Sequence, residues 1–371
     1  MSRMPGDDYD TAPMPPSVWD NDLDEGPLDD WLWQPPVDRQ PSSDRVGQGG
    51  SEAAAWRAAE ASLGRALAEA ASAVARLDER LSVLSAERRA GALQHLALLD
   101  VADLVWAEGA RLRPERLALV DLDRAGRTDD DAEVLGRAAW ALRRWRAAPS
   151  PLDSEEAIAH CVGRRLVLEE ARQRDLTDSA DRRLLPLEAD RAGEWLAAIA
   201  PLGDLHPLTR AGAGFSIWRR GQPDRVLEAA ALASSLALAQ ALGAEPGALS
   251  FLPLGLGRPA TRLGFGSSPE VQLSEWLAAV DASALAARRR LVALEAWRVR
   301  AVDVLKDRRG RGAAALADLF LARPILSAPI AAAATGLTAA RTRDLLAAFQ
   351  DAGLIRELTG HARFRYWRID T

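Results

Sequence analysis

The stretch AAALADLFLARPILSAPIAAAATGLTAARTRDLLAAFQDAGLIRELTGHARFRYWRIDT, residues 313–371, decides the reading of this chain. From Ala313 to Arg323 apolar residues recur at helical spacing until Pro324, which cannot continue a helix. Ser327 is a residue type whose side-chain oxygen caps a helix start, and it opens a short helix through Ala334. Gly336 then makes a turn. Thr338 caps a third helix running to Asp351, and Gly353 stands where a residue with positive φ ends a helix. Helix, short helix, turn, helix is the order of a helix-turn-helix. Leu354 to Leu358 reads as a strand, Thr359 to Ala362 as a turn around Gly360, and Arg363 to Ile369 as a returning strand. This hairpin is the expected wing, although its alternation is imperfect, with Arg363, Arg365, Trp367 and Ile369 on one face.

On the third helix Thr342, Leu345, Leu346 and Phe349 share a face and are expected in the core. That leaves Ala339, Ala340, Arg341, Arg343 and Asp344 at its exposed N-terminal end, the end that enters the major groove in such folds. Small residues permit close approach, and an arginine can donate two hydrogen bonds to guanine or reach a phosphate. The candidate DNA contacts are therefore Thr338, Ala339, Ala340, Arg341 and Arg343 on the helix. His361, Arg363 and Arg365 on the hairpin join them, with Arg368 as a further phosphate contact.

The charge distribution agrees. The net charge of -6 hides an acidic start, with ten acidic and two basic side chains in residues 1–40, and a basic end, with sixteen basic and eight acidic in residues 288–371. A basic end of this kind suits a polyanionic partner.

Upstream, the sequence divides by composition. Residues 1–50 are rich in Asp, Pro, Ser and Gly and read as a disordered acidic tail, in which Trp19, Trp31, Leu32 and Trp33 sit among the acids. Residues 51–266 read as a helical domain: Ser51 to Arg89, Leu93 to Glu108, a helix opened by Thr128 and Asp131 and running to Arg146, Ser154 to Arg174, Glu188 to Ile199, and Asp224 to Leu242. Leu249 to Leu256 is the one strand-like run expected there. Residues 267–312 read as a long helix and a basic linker, Lys306 to Gly312. On that helix Leu273, Leu277, Val280, Ala284, Ala287, Leu291 and Leu294 alternate spacings of four and three, a stripe that serves either to pair two subunits or to pack on its own domain.

Single cysteine usage (Cys161) leaves no intramolecular disulfide, and no Cys and His cluster has metal-ligand spacing. No stretch reads as a signal peptide or a membrane span. No cofactor, metal or catalytic set is expected, and a cytoplasmic, nucleoid-associated location follows.

The run from Leu319 to Trp367, with Ala-Arg-Pro-Ile-Leu-Ser, Asp351-Ala352-Gly353-Leu354 and Thr359 through Trp367, resembles the C-terminal helix-turn-helix of an uncharacterised alphaproteobacterial family. In that family this module follows a domain of unknown function. The stretches from Ala75 to Leu81, Trp106 with Gly109, Glu115 to Asp121, and Pro253 to Leu256 continue the resemblance upstream. The family is similar in layout to Fic proteins, helical enzymes that transfer nucleotide monophosphates. On that likeness Glu108-Gly109 falls where Fic proteins keep an inhibitory glutamate, and His206-Pro207-Leu208 where their catalytic loop begins. The remainder departs from it: Thr209, Arg210, Ala211 and Gly212 follow, with no carboxylate at the metal position.

The chain is thus expected to be mainly α, with a Fic-like helical N-terminal domain, a long helix and a C-terminal winged helix-turn-helix. The function expected is a DNA-binding transcriptional regulator, a homodimer on double-stranded DNA, whose non-catalytic helical domain dimerises or senses a small-molecule or protein effector. Two other readings stand beside it: a Fic-type AMP transferase with a divergent loop, and a winged-helix module for protein interaction.

Overall fold

Alanine and leucine at helical spacing, with serine and glycine at the breaks, make helix the cheapest conformation for most of this chain. The computed structural model describes residues 45–122, 132–167, 186–239, 247–257, 263–309, 311–360 and 365–370. It is mainly α, with 73% of the described residues in helices.

The segment expected as one helix from Ser51 divides into α1 (Arg45–Ser62) and α2 (Gly64–Ser82). Ser85 accepts a hydrogen bond from the Arg88 amide at 3.4 Å and opens α3 (Ala86–Ala107). Next come α4 (Pro114–Asp121) and α5 (Ala132–Arg146). Thr128 and Asp131, the expected opening of α5, lie outside the described residues.

Ser154 caps α6 (Glu155–Cys161), but the helix expected to reach Arg174 stops there. Gly163 takes φ +67°, and a Cβ at that position would fall 2.1 Å from the Trp140 ring nitrogen, so a side chain is excluded twice over. The chain then forms β1 (Arg165–Val167), paired in parallel with β2 (Pro186–Glu188). Helices α7 (Ala189–Ile199), α8 (Pro207–Gly221), α9 (Val226–Leu238) and α10 (Pro269–Arg309) complete this part.

Leu249 to Leu256, expected as a strand, pairs with no strand among the described residues. Its amides are taken by side chains: Leu249 donates to Asp78 Oδ1 (2.7 Å), Leu252 to Ser234 Oγ (3.0 Å) and Gly255 to Asp100 Oδ1 (2.7 Å). The run ends in a single 3-10 turn, Leu254–Leu256. Asp100 also accepts from the Trp145 indole at 2.6 Å. Burial pushes this carboxyl up to about 7, with the Trp145 and Gly255 hydrogen bonds opposing the rise and nearby Asp103 adding to it.

All seven stripe residues of α10, Leu273 to Leu294, are buried within the chain. The helix lies mainly against α2, the helix that follows it and α8, so the stripe is consumed by packing within the chain. It also serves two cores. Leu273 to Leu291 join the first, with Leu77, Leu96, Phe215 and Phe251, while Leu294, Trp297 and Ala301 join a second made with the C-terminal elements. Helix α11 (Arg311–Ala322) begins two residues after α10 ends, so the stretch read as a basic linker is helical on both sides of residue 310. Residues 46–371 form one compact unit. No described helix is long and apolar enough to cross a membrane.

Candidate nucleic-acid interface

The described helix starts and turns that shape the C-terminal region are set by residues next to them in sequence. Ser327 Oγ accepts from the Ile330 amide (3.5 Å) at the start of α12 (Ala328–Thr335). Gly336 then adopts φ +69°. Thr338 Oγ1 accepts from the Arg341 amide (3.3 Å) and caps α13 (Ala339–Asp351), and the Thr342 hydroxyl donates back to the Thr338 carbonyl (3.0 Å). Past α13, Gly353 has φ +65°.

The core face of α13 is the one expected: Thr342, Leu345, Leu346 and Phe349 are all buried. Phe349 packs with Phe320 and Trp297, whose ring centroids lie 6.3 Å from it in each case. The Trp297 indole donates to the Leu354 carbonyl at 2.7 Å, tying α10 to the end of α13. This aromatic cluster fixes the angle at which α13 leaves the core.

On the opposite side Thr338, Ala339, Ala340, Arg343 and Asp344 are exposed. Ala340, Arg343 and Ala347 form one outward row at spacings of three and four. Arg341 sits on the flank of that row and is half-buried, so the two arginines do not share a face. Helix α13 packs on α10, α11, α12 and the strand that follows it.

The wing is part of a three-stranded antiparallel sheet. Its strands are β3 (Ile325–Ser327), β4 (Ile355–Glu357) and β5 (Tyr366–Ile369), in the order β3-β5-β4. Strand β3 was not expected from the sequence. In the turn after β4, Glu357 accepts from the Gly360 amide and the Thr359 hydroxyl, each at 2.9 Å, and Gly360 takes φ +63°. Arg365 is exposed at the start of the returning strand. His361 and Arg363, the other hairpin candidates, lie outside the described residues.

Trp367 and Ile369 share a face, as their spacing implies, and β5 buries residues of both its faces. Trp367 and Ile369 enter the second core, while Tyr366 enters the first. The middle strand of a sheet wedged between two cores has no solvent face to spare. Arg368, expected at phosphate, points to α4 and pairs with Glu115 at 3.1 Å; Arg356 reaches the same carboxylate at 3.9 Å. Glu115 opens one of the resembling stretches, but nothing in it marks a partner for either arginine.

Further contacts hold the helical region to the winged helix. Asp318 on α11 bonds Arg298 (2.5 Å) and Arg88 (3.1 Å), and the former guanidinium holds its carboxyl below the usual range. At Gly91 helix α3 comes so near α11 that a Cβ would lie 2.2 Å from the Leu321 carbonyl oxygen. One turn on, His95 Nε2 lies 3.0 Å from the Phe320 carbonyl. Burial pushes this imidazole down to about 4, opposed by the Phe320 hydrogen bond and aided by Arg290, so the ring is neutral at pH 7 and donates from Nε2.

Residues 314–369 match the family described as HTH DNA binding domain. With the geometry above, the chain carries a C-terminal helix-turn-helix DNA-binding domain. No curated protein matches the chain.

The residues singled out by the Fic likeness fall in structural roles. Glu108 Oε1 bonds Arg137 (2.8 Å) and accepts from the Leu227 amide (3.1 Å) at the start of α9. His206 is the cap residue of α8, its Nδ1 accepting from the Leu208 amide at 3.1 Å. Thr209 to Gly212 are helix, where a Fic protein would have a loop. Cys161 is buried beside Ser235 Oγ at 3.5 Å, and burial raises its thiol. Among the described residues no group of three or more His, Cys, Asp or Glu could hold a metal ion.

Proposed function

We propose that this protein is a transcriptional regulator that lays the N-terminal end of α13 in the major groove and sets Arg365 and the hairpin against the flanking backbone. One observation carries the reading: α13 spends its whole apolar face on the aromatic cluster while Ala339, Ala340 and Arg343 stand outward at its N-terminal end. Alanines let the helix approach base edges, and Arg343 supplies a fork for guanine or phosphate. Arg341, half-buried on the flank, suits a phosphate contact beside the groove. The helical region's part is to position this module and to respond to an effector, without catalysis. The pairing of two subunits loses one support, because the α10 stripe is already covered within the chain.

The test uses duplexes recovered from a random pool by the full-length protein, with affinity read by fluorescence anisotropy at fixed salt. Arg343→Ala is expected to weaken binding by about tenfold to a hundredfold, the range for one bidentate contact. Unchanged affinity in both Arg343→Ala and Arg341→Ala would overturn the reading.

A further inference from the structure

Helix α13 turns about 100° per residue, so the direction opposite its buried face follows from Thr342, Leu345, Leu346 and Phe349. That direction runs along Ala340, Asp344, Ala347 and Asp351, at spacings of four, three and four, and all of these are exposed. Asp344 lies about 30° from it, while Arg343 lies about 70° to one side and Arg341 about 90° to the other. The outward face thus carries carboxylates along its middle and a guanidinium on each flank.

The fold sets Asp344 no structural task. Its carboxylate makes no hydrogen bond or ion pair among the described residues. It stands sixth in the helix, beyond the first turn, where an acid gains from the helix dipole, and aspartate is a poor helix former in an interior position. Facing a polyanion, an unpaired carboxylate is also a cost. Arg341 and Arg343 are matched in number by Asp344 and Asp351, so the fit of this helix to DNA lies in the layout of its charges rather than in their sum.

The major groove has the matching cross-section, with phosphates along both edges and base edges in the middle. An ionised carboxylate only accepts hydrogen bonds. Guanine offers the acceptors N7 and O6, thymine the acceptor O4, and adenine sets its amino group beside the acceptor N7. Cytosine alone offers a donor, N4, with no acceptor next to it. Against guanine or thymine the carboxylate would lose water and gain no donor in return.

We infer that Asp344 is a specificity-determining residue, its carboxylate accepting from N4 of one cytosine in the major groove while the flanking arginines fix the helix there. The inference rests on the regulator reading and deepens it by naming a base that the bound sequence must contain.

The experiment recovers duplexes from a random pool with the full-length wild type, Asp344→Ala and Asp344→Asn, then measures affinity for defined duplexes by fluorescence anisotropy at several salt concentrations. Wild type is expected to require a cytosine at one position and to lose about tenfold when thymine or N4-methylcytosine replaces it, the methyl group standing where the groove-facing hydrogen was. Asp344→Ala is expected to select the same sequence with that one position relaxed, to tolerate both replacements, and to keep the wild-type salt dependence, because no phosphate contact is removed. Asp344→Asn is expected to accept adenine there, since an amide pairs with its N6 and N7. If Asp344→Ala tightens binding to every duplex alike, the carboxylate only repels phosphate and the inference is overturned. Unchanged selectivity at every position overturns it as well. Both results leave the regulator reading standing, whereas a wild type that selects no sequence removes that reading and this inference with it.

Discussion

His95 and Asp100 lie five residues apart on α3, and burial disfavours the charged form of each, which moves their pKa values in opposite directions. His95 is pushed down to about 4, from an ordinary value of 6.5. The unfolded chain therefore takes up a proton that the native state refuses, and stability present above pH 6.5 is lost as pH falls toward 4. Between pH 7.5 and pH 5 linkage gives a loss of about 2 kcal/mol. Asp100 is pushed up to about 7, from 3.8. Its native state holds the proton more tightly, so its contribution is fully present below pH 3.8 and is lost as pH rises through 7. Over the same descent from pH 7.5 to pH 5 it returns roughly 2 to 3 kcal/mol. The two contributions nearly cancel, and the wild-type protein is expected to show a flat stability profile across this interval that conceals both. Single substitutions expose them. His95→Gln keeps a donor for the Phe320 carbonyl and does not titrate, so its stability should rise by about 2 kcal/mol from pH 7.5 to pH 5 as the Asp100 contribution stands alone. Asp100→Asn should fall over the same interval by a similar amount. Urea unfolding at four or five pH values measures both slopes. A constant gap between His95→Gln and wild type across the interval would show that His95 is not held as a neutral donor, and the reasoning would fail.

Two further substitutions probe the elements that carry the site. Gly91→Ala in a helix interior ordinarily stabilises by about 1 kcal/mol, yet here the methyl would meet the Leu321 carbonyl oxygen at 2.2 Å and the Ala322 Cα at 2.5 Å, so thermal melting is expected to show a loss of about 1–3 kcal/mol instead. Thr338→Ala removes the cap of α13 and should cost about 1 kcal/mol in chemical denaturation, with Thr338→Ser restoring most of it.

The helix-turn-helix was legible because its signals are local. Ser327, Gly336, Thr338 and Gly353 each act on amides or carbonyls within a few residues of themselves, so their chemistry can be read in chain order. The outward set on α13 followed from period alone, except for Arg341, whose place on the flank depends on how the helix is rotated against the aromatic cluster. Long-range pairings were not legible. Strand β3 is three residues long, and its partners Tyr366 to Arg368 lie some forty positions on. Leu249 to Leu256 has strand composition, but its amides are claimed by Asp78, Asp100 and Ser234, none of them a sequence neighbour. Arg368 looked like a phosphate ligand because nothing in its own neighbourhood announces Glu115, 253 positions away.

The matched segment begins at residue 314, but the aromatic nucleus beneath α13 begins earlier, at Leu294, Trp297 and Ala301 on the last turns of α10. A protein cut at the family boundary would leave Phe320 and Phe349 facing water where the indole of Trp297 had been. A piece that keeps this nucleus whole has to start before Leu294, inside a helix whose other end is anchored among the upstream helices. Grafting this domain onto another protein would mean carrying the end of that shared helix with it.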